Sequence, residues 1–235
     1  MQRDWIGRKL IDVTGVLIVG AVSAASLLAQ ERNGSIHGTV QIPAQVQVVP
    51  RMVHSSGYRT AAPPPAASEK TQEKPEVTNV VVFLEGKGLE RIEGAKKTPI
   101  LDQRDASFIP HVLPIVRGTS VRIVNRDRTY HNVFSLSAVK KFNIGRRPTG
   151  EEVPVTFDKT GIVKVFCDIH SNMSAIILVL DNPVFVQPSD DGSFDLPDVP
   201  PGQYTIRAWH ERFTAPPQQI TVRPGETATT NFDFQ

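Results

Sequence analysis

Residues 161–180 read GIVKVFCDIHSNMSAIILVL and contain the single cysteine of the chain, Cys167. Val163, Val165 and Cys167 fall on one face of an alternating pattern, which predicts a strand with the thiol on the core side at its end. Residues 174–180 are apolar at almost every position and predict a second, buried strand. The stretch therefore predicts two neighbouring β-strands joined by a short loop that begins at the cysteine.

The loop contains two more potential metal ligands, His170 and Met173, with two residues between successive donors. His131 lies earlier in the chain, in the run YHNVF at 130–134. One thiolate, two imidazoles and one thioether form the donor set of a mononuclear blue-copper site, in which His₂Cys makes a trigonal plane and a weak Met is axial. These soft donors suit copper, which moves one electron by cycling between Cu(I) and Cu(II).

Other uses of a Cys–His pair fit the sequence less well. Attachment of c-type haem needs Cys-x-x-Cys-His, and there is no second cysteine. Structural zinc prefers four Cys or His ligands and does not recruit Met, and a catalytic Cys–His dyad does not require a nearby Met. The remaining alternative is an ordinary buried cysteine near two unrelated histidines.

Length and composition favour a globular protein of one or two β domains. The chain has 235 residues, a formal net charge of +2 and no strongly basic tract, so nothing indicates nucleic-acid binding. The 40% hydrophobic fraction is enough for a sizeable core, and 19 Pro with 16 Gly indicate turn-rich β structure.

Residues 1–30 have the pattern of a secretory signal peptide. Three basic residues precede an apolar run at 13–29 that is rich in small residues. We expect cleavage near residue 30; the alternative is a short membrane anchor, since the run is near the lower length limit for a span. Either outcome exports the remainder to the periplasm or another extracytoplasmic compartment, where an unpaired thiol is protected if it binds a metal.

Residues 31–181 predict a first domain, an antiparallel sandwich or barrel of about seven short strands. Residues 51–77 are rich in Pro, Ser and charge and predict a flexible insertion in that domain. The expected strands lie at 35–48, 80–84, 108–116, 119–125, 153–157, 163–167 and 174–180, and 140–152 are expected to form a loop. No helical stretch of useful length is predicted.

Residues 182–235 predict a second, smaller β domain. Alternating apolar residues surround turn sequences at 190–192 and 199–202. About 50 residues is near the lower limit for an independent core. We therefore expect the apolar strand 174–180 to pack against this domain.

The His–Asn pair at 131–132 and the Cys-x-x-His-x-x-Met loop resemble the cupredoxins, the superfamily of plastocyanin and azurin. The resemblance covers roughly residues 78–181, with Ile36–Ile42 supplying an edge strand. It implies an all-β fold, a Greek-key sandwich that binds one copper ion.

The chain also resembles exported plastocyanin-like proteins of the methylamine-utilisation type, which carry a small second domain. That domain is of the carboxypeptidase regulatory-like, prealbumin type. Residues 182–235 are similar to it through the runs DGSF at 191–194 and VPPGQY at 199–204.

The resemblance implies a role for each site residue. His131, Cys167 and His170 would be the strong copper ligands and Met173 the weak axial one. Asn132 would steady the cysteine loop by hydrogen bonding, and His170 would lie nearest the surface as the electron port. The gap of two residues between His170 and Met173 is shorter than the gap of four in plastocyanin.

The other histidines and a group of basic residues are weaker candidates. His111 lies in an apolar strand pattern and could approach the ligands or be structural; His210 is predicted to be structural or to contact the other domain, and His37 and His54 have no supporting motif. Six basic residues near His131 form either a rim that steers an acidic partner or a solvated loop: Arg126, Arg128, Lys140, Lys141, Arg146 and Arg147.

These patterns favour an exported type-1 copper protein that carries single electrons between redox partners such as a c-type cytochrome or an oxidoreductase. It would not be an enzyme, since four protein ligands leave no open position for a substrate. Two alternatives stay open: a copper-binding enzyme or sensor in which Met173 is displaced, and a cell-surface interaction module with structural copper. Membrane contact is expected only if residues 1–30 are retained.

Overall fold

The fold is built from β-strands throughout residues 32–43, 76–94 and 97–235, which are the residues that the computed structural model describes. The strands are β1 (Gly34–Gln41), β2 (Val81–Glu85), β3 (Ile100–Arg104), β4 (Ser107–Ile109), β5 (Val112–Val116), β6 (Thr119–Asn125), β7 (His131–Ser137), β8 (Lys140–Arg147), β9 (Glu152–Phe157), β10 (Gly161–Cys167), β11 (Ser174–Leu180), β12 (Phe185–Val186), β13 (Ser193–Val199), β14 (Gly202–Trp209), β15 (Gln218–Val222) and β16 (Thr227–Asp233). Within the described ranges the only helical segments are 3₁₀ turns at Glu76–Asn79 and Leu89–Arg91. In this part of the chain no helix is long and apolar enough to cross a bilayer.

Two predicted segments lie outside the described residues. One is the export signal at 1–30, and the other is the insertion at 51–77 apart from its last two residues. Both stay predictions.

The strands form four sheets that stack as two sandwiches. Sheet A has the order β13-β1-β16 and sheet B the order β12-β2-β14-β15. Sheet C has the order β4-β3-β6-β9 and sheet D the order β5-β11-β10-β7-β8. One apolar core fills the A/B sandwich and a second fills the C/D sandwich, so the predicted all-β sandwich architecture is confirmed.

The C/D core follows from alternation along its strands. Val121 and Ile123 of β6 and Val163 and Val165 of β10 are buried, whereas Lys164 between the last two is exposed. Because side chains in a strand alternate between faces, one face of each sheet closes this core. The same phase points Cys167 into the core at the end of β10.

A third apolar cluster joins sheet B to sheet D. Ile176 and Leu178 of β11 pack with Val81 of β2, and the partly buried Phe83 and Trp209 of sheet B lie against them. Ile177 of β11 faces the C/D core instead. The strand is therefore buried on both faces, and the expected packing of 174–180 against the C-terminal strands is confirmed.

Two N-terminal strands lie in a different sandwich from the predicted one. The edge strand expected from Ile36–Ile42 is wrong as a part of the C/D sandwich, because β1 pairs with β13 and β16 in sheet A. The strand at 80–84 is central and buried on both faces, as its apolar run indicates, but it pairs with β12 and β14 in sheet B. The C-terminal strands alone are too few to close a core, so β1 and β2 complete it.

Gly38 shows why β1 fits between its neighbours. A Cβ at this position would collide with the Thr230 carbonyl of β16 and come within 2.6 Å of the Phe194 ring of β13. The absent side chain therefore lets Phe194 lie directly over the strand.

Three other local predictions differ from the structure. Residues 140–147 are strand β8 rather than a loop. Phe142 and Ile144 turn inward, and the other positions of the strand are mostly polar, which is common at a sheet edge. The strand expected at 108–116 is two strands, because the chain crosses from sheet C to sheet D at Pro110, which has no N–H for a ladder. Strands β3 and β7 were not predicted.

Candidate metal centre

Three of the predicted ligands meet at one end of the C/D sandwich. His131 begins β7, Cys167 ends β10, and His170 lies in the loop from β10 to β11. The pairing of Cys167 with Val133 places β7 directly beside β10. Residues distant in sequence are therefore brought together by one antiparallel strand pair.

The donor atoms of these residues converge on one point. His131 Nδ1 lies 3.1 Å from His170 Nδ1, and Cys167 Sγ lies 3.6 Å and 3.9 Å from these two nitrogens. An ion about 2.0–2.1 Å from each nitrogen and about 2.3 Å from the sulfur requires donors separated by about 3–4 Å. The arrangement fits a trigonal metal site, and among the described residues this is the one His, Cys, Asp or Glu cluster of that kind.

The other nitrogen of His131 is held by a carboxylate. Nε2 of this fully buried ring lies 2.7 Å from Oδ2 of Asp127. Since an ionised carboxylate can only accept, Nε2 carries the proton and the lone pair of Nδ1 is free. Metal-binding histidines commonly have such a partner, which fixes the ring and raises its basicity.

Asp127 is itself anchored by the β3–β4 turn. Its carboxylate accepts the backbone N–H of Asp105 at 2.6 Å and that of Ala106 at 3.0 Å. Both turn residues have positive φ, 53° and 52°, a conformation that costs energy for non-glycine residues. Although burial raises the pKa of Asp127, the hydrogen bonds from Ala106, His131 and Asp105 hold that pKa below its usual value.

Backbone hydrogen bonds of Met173 close the cysteine loop. Its N–H donates to the carbonyl of His170 at 3.0 Å, and its carbonyl accepts the N–H of Cys167 at 3.3 Å. The side chain is buried in the same apolar cluster as Cys167. The axial role of Met173 stays a prediction, and its burial beside the thiol agrees with it.

Asn132 ties the two ligand segments together. Its Nδ2 donates to Oδ2 of Asp168 at 2.9 Å, and the N–H of Asp168 donates to the carbonyl of Asn132 at 3.3 Å. Asp168 directly follows Cys167, so these bonds hold the cysteine loop against the start of β7. The role of Asn132 beside a metal site stays a prediction.

The ligand cluster comes closest to the surface at His170. This ring is partly exposed, whereas His131 is fully buried. Its neighbour Ile169 is 39% exposed, and Tyr130, next to His131 in the chain, is 58% exposed. The edge of the candidate site is therefore partly apolar.

The expected basic rim is divided between the two ends of the β7–β8 hairpin. Arg146 and Arg147 pair with Asn132 and His131 at the ligand end, but Lys140 and Lys141 pair with residues at the far end of β7. The rim prediction is wrong for the two lysines, because it treated 140–152 as a loop that could fold back over the site.

Charge near the ligand end is also partly neutralised. Arg126 is ion-paired with Asp102 at 2.8 Å, and Arg147 with Glu151 at 3.5 Å. Arg128 and Arg146 are exposed and appear in no ion pair of the described residues.

The remaining histidines lie outside the ligand cluster. Nδ1 of His111 is 3.1 Å from the carbonyl of Ser174, and Nε2 is 2.8 Å from Oε1 of Glu211. His111 thus links the cysteine-loop strand to the C-terminal strands and does not join the donor atoms. The alternative in which it completes a copper site therefore has no support in the geometry.

His210 and His37 also have structural contacts. Nε2 of the buried His210 lies 3.0 Å from Glu76, and its ring stacks on Phe213. His37 contacts Asp195 at 2.8 Å on the surface. His54 lies outside the described residues.

Part of the chain is similar to solved copper proteins. A copper-containing nitrite reductase from Thermus scotoductus SA-01 matches at 28% identity and a TM-score of 0.35, over 38% of this chain but only 25% of the reductase. A purple cupredoxin from Nitrosopumilus maritimus matches at 22% identity and a TM-score of 0.33, over 35% of this chain and 99% of that protein. A mutant amicyanin matches at 21% identity and a TM-score of 0.34, over 37% of this chain and 87% of amicyanin.

No family model and no curated protein matches the chain. The structural similarities span well under half of it. The donor atoms and their surroundings are therefore the basis on which a function can be inferred.

Proposed function

We propose that this protein is a cupredoxin-type electron carrier with one type-1 copper ion. The observation that carries the proposal is the convergence of two imidazole Nδ1 atoms and one cysteine sulfur, with separations of 3.1–3.9 Å, in the apolar end of a β-sandwich. A His₂Cys plane with a weak axial Met is the donor set of blue-copper electron-transfer sites.

Each residue has a distinct part in this proposal. His131, Cys167 and His170 would hold the copper ion through their two imidazoles and thiolate, and Met173 would be the weak fourth donor. Asp127 holds the Nε2 proton of His131, and the surrounding apolar core excludes water from the thiolate. Copper in such a site supplies one-electron chemistry between Cu(I) and Cu(II).

The proposal describes a carrier rather than an enzyme. If Met173 fills the axial position, no ligand position remains for a substrate, and His111 is engaged by Glu211 instead. Addition of azide to the Cu(II) protein tests this point. An unchanged electron paramagnetic resonance spectrum supports the carrier, whereas a new azide-bound spectrum indicates an open-site enzyme or sensor.

The experiment that tests the copper site is reconstitution with Cu(II) and a visible spectrum. We expect intense colour from thiolate-to-copper charge transfer, and we expect Cys167→Ser to abolish it. Ser171→Ala, which alters an exposed residue of the same loop, is the matched control and keeps the colour. A colourless wild-type protein that contains stoichiometric Cu(II) contradicts the proposal.

We further propose that residues 1–30 direct export, so that the carrier works in the periplasm or another extracytoplasmic compartment. Its partners would be protein redox partners such as a c-type cytochrome or an oxidoreductase. The proposed division at residues 181 and 182 assigns β12–β16 to a small carboxypeptidase regulatory-like domain at 182–235, to whose core β1 and β2 also contribute. N-terminal sequencing of protein recovered from cell fractions tests the export: a start near residue 31 outside the cytoplasm supports it.

A further inference from the structure

The outer face of sheet D is only partly covered by sheet B. The cluster between the two sheets includes residues of β5 and β11 on the sheet D side, among them Val112, Ile176 and Leu178. No residue of β10, β7 or β8 belongs to that cluster in the described part of the chain. These three strands therefore extend sheet D beyond the area that sheet B covers.

The part of this outer face that sheet B does not cover carries an apolar stripe. The stripe consists of Phe134, Leu136, Ile162 and Phe166. Ile162 is paired with Leu178, and Phe166 is paired with Phe134. Paired residues of neighbouring strands lie on the same face of a sheet, so the stripe continues the surface that sheet B covers. Leu136 is 74% exposed and Ile162 is 41% exposed, and the two phenyl rings are 6.0 Å apart.

One lysine borders the stripe and another lies within it. Lys141 is paired with Leu136 on β8, and Lys164 lies between Ile162 and Phe166 on β10. Both lysines are exposed, and neither is in an ion pair of the described residues. Lys140, by contrast, reaches Asp158 at 3.9 Å. The stripe thus combines apolar side chains with unneutralised positive charge.

The stripe is joined to the ligand cluster through the backbone. Phe166 directly precedes Cys167, and Phe134 directly follows Val133, the pairing partner of Cys167. A protein bound on this face is therefore connected to the thiolate through one strand and its neighbour. This route does not pass through the partly exposed ring of His170.

We propose that the stripe with Lys141 and Lys164 is a docking surface for an acidic redox protein, one that presents an apolar patch surrounded by carboxylates. Exposed apolar patches accompanied by polar groups mark interaction sites, and positive charge in or beside the patch selects and steers an anionic partner. The proposal rests on the proposed electron-carrier function, which supplies the reason for a redox partner. It differs from docking at the ligand end, where Arg128 and Arg146 lie.

Nuclear magnetic resonance of the isotopically labelled Cu(I) protein with the soluble domain of cytochrome b5, an acidic haem protein, tests the proposal. We expect amide shifts on β7 and β10 around Leu136 and Lys164. The double change Lys141→Glu and Lys164→Glu should weaken the Kd at least about tenfold, because like charges repel across the contact. Leu136→Ser, an exposed change that does not disturb the core, should weaken it as well.

The matched control is the double change Arg128→Glu and Arg146→Glu at the ligand end, which should leave the Kd within about twofold. Shifts confined to residues near His170, or a loss of binding only in this control, overturn the proposal. So does tighter binding of basic cytochrome c than of cytochrome b5. Self-association in sedimentation that Leu136→Ser abolishes also overturns it, because the face would then bind a second copy.

The visible spectrum of each Cu(II)-loaded sample shows whether a negative result contradicts the docking surface or the proposed electron-carrier function. Blue variants that bind cytochrome b5 as wild type does contradict only the docking surface. A wild-type protein without blue colour contradicts the electron-carrier function itself.

Discussion

Asp127 Oδ2 lies 2.7 Å from His131 Nε2, and this contact determines which nitrogen of the ring can bind a metal. The carboxylate also accepts two backbone N–H groups of the turn at Asp105 and Ala106. A hairpin turn of sheet C therefore helps to orient the His131 ring on sheet D.

Asp127→Asn should weaken copper binding about 10–100-fold, the usual effect of removing a partner of a metal-binding histidine. The amide has only one acceptor oxygen, so it cannot accept hydrogen bonds from His131 and from both turn N–H groups at the same time. Loss of the negative charge beside the proposed site also disfavours Cu(II) relative to Cu(I) and therefore raises the reduction potential. Competition with a chelator and potentiometry measure the two effects.

Asp102→Asn is the control for this prediction. Asp102 is a nearby carboxylate that is ion-paired with Arg126 and does not contact His131. Its replacement should leave copper affinity and potential unchanged. Equal behaviour of the two variants would mean that the Asp127 contact has no bearing on the metal.

Met173→Leu should keep the blue colour and raise the reduction potential, because the thioether is the predicted weak axial donor and its loss favours Cu(I). Met173→Gln should shift the potential in the opposite direction, since an amide oxygen is a harder donor that favours Cu(II). Voltammetry of both variants gives the comparison. Identical potentials in wild type, Leu and Gln proteins would show that residue 173 does not reach the copper.

The ligand set could be predicted from sequence because its evidence is local and chemical. Cys167, His170 and Met173 lie within one loop, and the residue types alone restrict the metal. The sequence gives less evidence for Asp127. It lies four residues before His131 in a charged segment and resembles an ordinary surface residue. Its role depends on the β3–β4 turn, which no local pattern connects to β7.

The sandwich could be predicted from alternation, but the partner of each strand could not. The run Val81–Glu85 indicates burial on both faces, and it is buried. Alternation gives no information about which sheet a strand joins, and β1 pairs with residues near the opposite end of the chain. Strand β8 was not predicted because four of its eight residues are lysine or arginine, so the alternation of the inward-facing Phe142 and Ile144 is hard to recognise.

Leu178→Ala should lower the free energy of unfolding by about 2–5 kcal/mol, the usual cost of removing a buried leucine side chain. Leu178 is buried between sheets D and B, in the cluster with Val81. Leu136→Ala, on the exposed part of the same sheet face, is the control and should change stability by less than about 0.5 kcal/mol. Urea unfolding provides both values, and similar losses would mean that the B–D contact contributes little.

The last prediction concerns the pH dependence of stability at His111, which faces Glu211 with Glu76 nearby. The hydrogen bond to Glu211 raises the pKa of His111 above its ordinary value of 6.5, although burial opposes the shift. The same bond lowers the pKa of Glu211. The folded protein thus holds this proton more tightly than the unfolded chain, so the stabilisation is complete below about pH 6.5 and disappears as pH rises through the raised pKa.

His111→Gln should therefore cost more stability at about pH 6 than at about pH 9. The difference between wild type and variant is the relevant quantity, because burial lowers the pKa of His210 and makes stability fall with decreasing pH in both proteins. Glu211→Gln should remove the same pH-dependent component, and adding His111→Gln to it should remove no more. Thermal unfolding of the copper-free proteins across this range measures the effect, and wild-type and variant curves that stay parallel at every pH would show that the His111–Glu211 contact does not stabilise the fold.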